Sequence, residues 1–301
     1  MSVYIDTERA NKLANILFDS FSNEGILGQN EMPEDILPEG VERGSLEHVL
    51  FITLTVSIDY MRDAPSLWES SRKTFEDPET RYLFQPNSIY KKSVEKIRED
   101  MKKYGLAKRY NNDVNIWRTN SITFHEKWDG NPLNFLEDCG WDSLNILKRL
   151  KSENHLENNR NKSDFPYLRG AKIGPLWIRM LRDNVGISKL ENLDKVPIPV
   201  DIHVARSSLA IGVVRGEYEG KLTDIFENVR KVWFEGVKGL KIGGRDMIAL
   251  DVDEPLWHLS KYGCSHRTAR GKCPFYNQCE AKEFCVKGKI TINKDKVSMR
   301  T

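Results

Sequence analysis

Residues 45–60, SLEHVLFITLTVSIDY, open on a serine suited to capping a helix and then run almost wholly apolar, which predicts a helix buried on most of its sides. Between residues 88 and 104 the apolar positions Val94, Ile97, Met101 and Tyr104 recur at helical spacing with Lys, Arg, Glu and Asp between them, and Gly105 supplies a stop. That pattern predicts an amphipathic helix with a solvated outer face. Helical periodicity continues over 112–128 and 132–150, the latter starting at Pro132 and carrying Leu133, Leu136, Leu144 and Leu147. Residues 151–164, KSENHLENNRNKSD, are polar and rich in Asn and read as a linker or exposed loop. No strand-like alternation of any length precedes about residue 196, and no internal repeat is evident. The pattern predicts an all-α architecture.

Two segments interrupt this pattern with candidate chemistry. Residues 165–183, FPYLRGAKIGPLWIRMLRD, place Gly170 and Gly174 in a hairpin ahead of an amphipathic helix, with Pro175 in its first turn. Glycines at such a turn let backbone N–H groups at a helix N-terminus hold a phosphate without reading sequence. An ordinary helix-to-helix connection has the same outline. Residues 196–210, VPIPVDIHVARSSLA, put Asp201 at an N-cap position ahead of a helix bearing His203 and Arg206. Plain capping would need that Asp and nothing more.

Composition changes the picture only when it is localised. The chain has 301 residues, 39% hydrophobic and 30% charged, enough for a sizeable core in one or two domains. No run approaches a membrane span, and the start MSVYIDTERA has acids where a secretory signal has bases, so a cytoplasmic location is expected, nucleoid-associated in a prokaryote. The net charge of +2 conceals a polarity: residues 261–301 carry ten Lys or Arg against Glu280, Glu283 and Asp295, while the first sixty hold eleven acids against Arg9, Lys12 and Arg43. One end of the chain is suited to phosphates and the other is not.

The cysteines follow the basic end. Cys264, Cys273, Cys279 and Cys285 lie within 22 residues, spaced C-x8-C-x5-C-x5-C, while Cys139 stands alone and reads as a small core side chain. Without a secretory signal, four thiolates on one metal centre are favoured over two disulfides. The gaps lack the tight knuckles of structural zinc sites, so a [4Fe-4S] cluster is favoured and zinc is the lesser alternative.

In order, a glycine hairpin between helices, VDIHVAR, and a cysteine loop that begins LWHLSKYGC and contains CPFYNQC resemble the helix-hairpin-helix DNA glycosylase superfamily, especially its endonuclease III and adenine glycosylase branches. Upstream, SLEHVLFITLTVSIDY is similar to the family's long buried helix, and IYKKSVEKIREDMKKYGLAKRYNNDVNIW to its helix, turn and helix. The resemblance implies a two-lobed helix-hairpin-helix glycosylase fold with a C-terminal four-cysteine cluster loop. A helical barrel domain over 45–185 would include the hairpin, and 1–44 plus 186–301 would form a cluster-bearing domain, with loop 264–285 holding the cluster. It also implies double-stranded DNA with a damaged or modified base as the partner; with no coiled-coil pattern, large exposed apolar stripe or membrane span in the sequence, a monomer with no membrane partner is expected. The base would be flipped into a pocket between the lobes, to which Trp177, Trp141, Tyr60 and Asp59 are candidate contributors. Asp201 matches the catalytic Asp, which stabilises charge developing at C1′ or helps activate the incoming nucleophile. Gly170, Ala171, Lys172, Gly174, Arg206, Arg267, Arg270 and Lys272 are the expected DNA contacts, the cluster holding the basic loop against the backbone.

The sequence also departs from the family. In the simplest register, Gly174 stands where endonuclease III has the Schiff-base lysine, which implies a monofunctional enzyme using water. In AKIGPLWIRM, however, Lys172 follows an Ala and precedes Asp201 by 29 residues, similar to the archaeal 8-oxoguanine glycosylase branch. Lys172 is therefore read either as the nucleophile of a glycosylase with AP lyase activity or as a phosphate contact. The family's usual second cysteine is absent and Cys285 lies beyond the usual end. Two other functions stay open: a catalytically inactive DNA-binding or damage-sensing protein of this fold, and a zinc-stapled helical interaction protein unrelated to DNA.

Overall fold

The structure is a computed structural model that describes residues 2–269 and 271–301. Its chain divides into two units, one from Met1–Glu31 with Leu193–Thr301 and the other from Met32–Asn192. The boundaries fall outside those expected at 44/45 and 185/186, and side-chain bonding explains the difference. Residues 32–44 are tied to the inserted unit where buried Arg179 donates to Glu34 at 2.6 Å and Asn184 donates to Asp35 at 2.7 Å. Residues 187–192 are tied to it where the Glu191 N–H donates to the Trp141 carbonyl at 2.9 Å and Asn192 donates to Asp142, also at 2.9 Å.

The chain opens with strand β1 (Ser2–Ile5) and helix α1 (Thr7–Asn23) and then enters the inserted unit. There it forms α2 (Leu46–Val56), α3 (Ala64–Glu76), α4 (Pro86–Ile89), α5 (Val94–Lys103), α6 (Tyr110–Trp128), α7 (Pro132–Asp138), α8 (Ser143–Ser152), the hairpin β2 (Asn154–Glu157) and β3 (Arg160–Ser163), and α9 (Ile173–Met180). Helix α2 is capped by Ser45, which accepts from the His48 N–H, and every residue from His48 to Val56 is buried. Around it Phe51, Trp68, Phe75, Phe84 and Trp117 pack largely edge to face, an arrangement favoured by the ring quadrupoles.

Local signals break two of the expected helices. In place of 88–104, a fresh cap at Ser93 accepting from the Lys96 N–H starts α5, and Gly105 at φ +71° ends it. In place of 132–150, Gly140 and Trp141 adopt left-handed φ of +66° and +58°. Asp142 then caps a separate helix by accepting from Leu144 and Asn145. The supposed linker 151–164 is an antiparallel hairpin whose Asn158 and Asn159 turn is left-handed, a conformation Asn tolerates.

On returning to the first unit the chain forms α10 (Ile202–Ala210), β4 (Val214–Lys221), α11 (Phe226–Gly236), the short pair β5 (Lys241–Ile242) and β6 (Arg245–Asp246), α12 (Asp253–His258), β7 (Lys289–Asn293) and β8 (Lys296–Arg300). The structure is mostly helical, but the all-α expectation is corrected by a four-stranded antiparallel sheet in the order β1-β4-β8-β7. The core of this unit joins Ala10, Leu13 and Leu17 of α1, Val204 and Leu209 of α10, and Val229 and Trp233 of α11 to Val214, Val297 and Met299 of the sheet. Sheet formation thus gathers the two chain ends: β1 pairs with β4, and β4 with β8. Among the described residues, no helix is long and apolar enough to cross a membrane.

Candidate functional site

The hairpin ahead of α9 is built by space rather than by backbone handedness. A Cβ on Gly170 would stand 2.9 Å from the Tyr167 carbonyl oxygen, and one on Gly174 would stand 2.9 Å from a Leu147 methyl and 3.2 Å from the Leu168 carbonyl oxygen. A lysine therefore does not fit at 174 without displacing its surroundings. The Gly170 N–H donates to Tyr167 at 2.8 Å and the Gly174 N–H to Gly170 at 3.0 Å. These two N–H groups are used inside the hairpin, so neither is offered to a phosphate. Ala171 is exposed beside them.

Lys172 caps α9 without a side-chain capping bond. Its Nζ lies 3.0 Å from Oδ2 of Asp59, with side chains 26% and 10% exposed respectively, so the pair is partly shielded from water. Of the neighbouring wall, Tyr60 is a candidate from the sequence, while Tyr167, Arg109 and Asp113 are not. Tyr60 and Tyr167 meet edge to face at 5.3 Å, and the Arg109 guanidinium lies over both rings at 5.0 and 5.1 Å. Arg109 is oriented by an ion pair of 2.7 Å with the fully buried Asp113. The spacing of Arg109 and Asp113 is a helical i,i+4 pair, but nothing along the chain brings either to Tyr60. Of the other pocket candidates, Trp177 is core, buried with its Nε1–H donating to Thr53 at 2.9 Å, whereas Trp141 is half-buried under Lys189.

In the other unit, Asp201 is the N-cap of α10: Oδ1 accepts from the backbone N–H groups of His203 at 2.7 Å and Val204 at 3.0 Å. Two donors at the positive end of a helix suit a charged carboxylate. One turn on, His203 Nδ1 lies 3.2 Å from Ser260 Oγ, and Arg206 donates to the same oxygen at 3.3 Å. Burial lowers the Arg206 guanidinium from its ordinary value, with Cys264 and Asp201 acting in the opposite direction. Ser260, inside LWHLSKYGC, thus links the helix of Asp201 to the start of the cysteine loop.

Cys264, Cys273, Cys279 and Cys285 all line one small cavity with Ile211, Leu259, Phe275 and Arg267. Burial first, and then the other three thiols, push the Cys264 thiol well above its usual range. The Cys279 thiol is pushed up to about 11, chiefly by burial. Among the described residues, no three His, Cys, Asp or Glu side chains are grouped as a site for a metal ion. Four sulfurs distributed around an apolar wall fit a polynuclear group between them. The loop is anchored from three sides: Arg9 of α1 donates to the Ile211 carbonyl at 2.6 Å and to that of Phe284. The Leu27 N–H donates to Glu280 at 3.0 Å, and the Val286 N–H to the Ala210 carbonyl at 2.9 Å. Cys139 is buried elsewhere, its thiol raised to about 11 by burial, in keeping with a core residue.

Of the expected basic contacts, Lys272 is exposed on a turn held by the Thr268 N–H donating to its carbonyl at 2.7 Å. Arg206 is half-buried. Arg267 turns inward, its Nη2 donating to the carbonyls of Val286 at 2.9 Å and Gly288 at 2.7 Å, which corrects its reading as an outward backbone contact. Arg270 lies outside the described residues. Compared with known proteins, no protein-family model matches the chain, and no curated protein matches it.

Proposed function

We propose that the protein is a DNA glycosylase of the helix-hairpin-helix type, releasing a damaged or modified base from duplex DNA, with Asp201 as its catalytic carboxylate. The observation that carries this reading is the seating of Asp201: a half-buried carboxylate held by two N–H donors at the start of α10, in the same unit as a cavity lined by four cysteines. A fixed carboxylate stabilises the positive charge that grows at C1′ as the glycosidic electron pair leaves with the base, and it needs no reorganisation to do so. Extruding the base from the stack exposes that bond to the enzyme.

Lys172 supplies the second role. Its amine is paired with the carboxylate of Asp59 at 3.0 Å, which holds it inside the protein as an ammonium and gives it an acceptor for its proton. Once its proton has passed to Asp59, the amine attacks C1′ as the base leaves with the glycosidic electron pair; the attached nitrogen then loses a proton, the ring oxygen leaves C1′ and takes one up, and the resulting Schiff base permits elimination of the 3′ phosphate. A [4Fe-4S] cluster would be held by Cys264, Cys273, Cys279 and Cys285, where it supplies a cross-link that shapes the basic loop. Lys272 and Arg206 then contribute to the backbone-facing surface.

A second reading, DNA binding without catalysis, is favoured by Gly174, where the simple lysine register meets a position that takes a side chain only by displacing Leu147 and the Leu168 carbonyl. One experiment separates the two. Holoprotein is incubated with duplexes carrying different lesions, with and without alkali, and with borohydride. Base release from at least one lesion, strand scission before alkali, and an adduct lost in Lys172→Ala are expected. Release without an adduct assigns water as nucleophile, and salt-sensitive binding with no base released from any lesion overturns the enzymatic reading.

A further inference from the structure

Arg267 stands three residues after Cys264 and lines the four-cysteine cavity. Its Nη2 is fully engaged across the far end of the loop, donating to the carbonyls of Val286 and Gly288, which follow Cys285. Its Nε and Nη1 are both buried, and neither has a hydrogen-bond partner among the described residues. Two such nitrogens on one guanidinium set Arg267 apart among the described residues. A guanidinium keeps its charge, so buried N–H groups without an acceptor are costly and call for one. Both atoms are shielded from solvent, whereas Lys272 of the same loop is exposed. Four thiolates around one group concentrate negative charge in the cavity, and Arg267 is the arginine in its wall.

We propose that Arg267 is a positioning residue for the group bound by Cys264, Cys273, Cys279 and Cys285, its Nε–H and Nη1–H donating hydrogen bonds to sulfur. The inference rests on the [4Fe-4S] reading above. Donors to sulfur, and a fixed positive charge beside it, stabilise the more reduced state and raise the potential of a cluster. They also tie the beginning of the loop to its end through the metal group.

The test uses anaerobically purified holoprotein and begins with iron and sulfide per chain. A wild-type chain without iron overturns the cluster reading itself, and this inference with it. In iron-loaded wild type, the Fe–S stretching bands in resonance Raman spectra are expected to shift on exchange into D2O. In Arg267→Met that isotope shift shrinks and the midpoint potential falls, while Arg267→Lys, which keeps the charge, restores part of the potential. A fully loaded Arg267→Met with wild-type potential and isotope shift overturns the assignment, because a merely structural residue would alter loading and leave both unchanged. Where Arg267→Met does not load, wild-type protein labelled with 15N-arginine decides: pulsed EPR of the reduced cluster shows a guanidinium nitrogen coupling, and its absence overturns the proposal.

Discussion

At the scale of single residues, the hydrogen-bonding environment decides what each candidate can do. Arg267 and Lys272 lie five positions apart in the same basic loop, yet one is consumed by backbone carbonyls and the other is exposed. Sequence alone gives both the same role, because a charge pattern does not record direction. His48 makes the same point in the core. Burial pushes its imidazole from 6.5 down to about 4, with Arg43 adding to the effect. The Gly44 N–H donates to its Nδ1 at 3.2 Å, so the folded form is neutral. The unfolded chain binds a proton there first, so stability falls as pH drops from 6.5 toward 4, by about 3 kcal/mol at most. Urea unfolding of wild type and His48→Gln across that window is expected to show a shallower pH dependence in the variant. Equal slopes would mean that His48 does not titrate between the folded and unfolded states.

At the scale of elements, caps and breaks govern what was legible. Helix α2 was readable because a serine cap and an unbroken apolar run agree. The glycine at 105 and the Asp201 cap were readable for the same local reason. The break at Cys139–Gly140–Trp141 was hidden by leucines that keep helical spacing on both sides of it, although Gly followed by Asp-Ser is a stop and restart signal. The four-stranded sheet was hidden because β4 pairs with the distant β1 and β8 and because β4 carries Gly216 and Gly220 among charged residues. The same cap yields a stability prediction. Asp201→Ala removes the acceptor of two N–H groups and is expected to cost about 1 kcal/mol, whereas Asp201→Asn keeps an oxygen there and should unfold near the wild-type denaturant midpoint. An alanine variant as stable as wild type would contradict the capping geometry.

At the scale of the whole molecule, a net charge of +2 says little, but the arrangement of charge along the chain says more. The C-terminal bases share a unit with residues 1–31 and not with the acids of 32–60, and in it Arg9 of α1 grips the Ile211 and Phe284 carbonyls beside the cysteine loop. Duplex affinity is therefore expected to depend on a few basic groups in and near that loop. Plotted against salt on logarithmic axes, it should have a slope that falls in magnitude by about 1 in Lys272→Ala. Inward-facing Arg267 should leave that slope unchanged when replaced by Lys. A slope indifferent to Lys272 would remove the loop from the DNA-facing surface. The central claim concerns the carboxylate at the start of α10, and single-turnover base release by Asp201→Asn tests it most directly, on the lesion duplex that wild type processes. The expected result is loss of base release with duplex binding and unfolding midpoint retained; base release at the wild-type rate would contradict the assignment of Asp201 as the catalytic group.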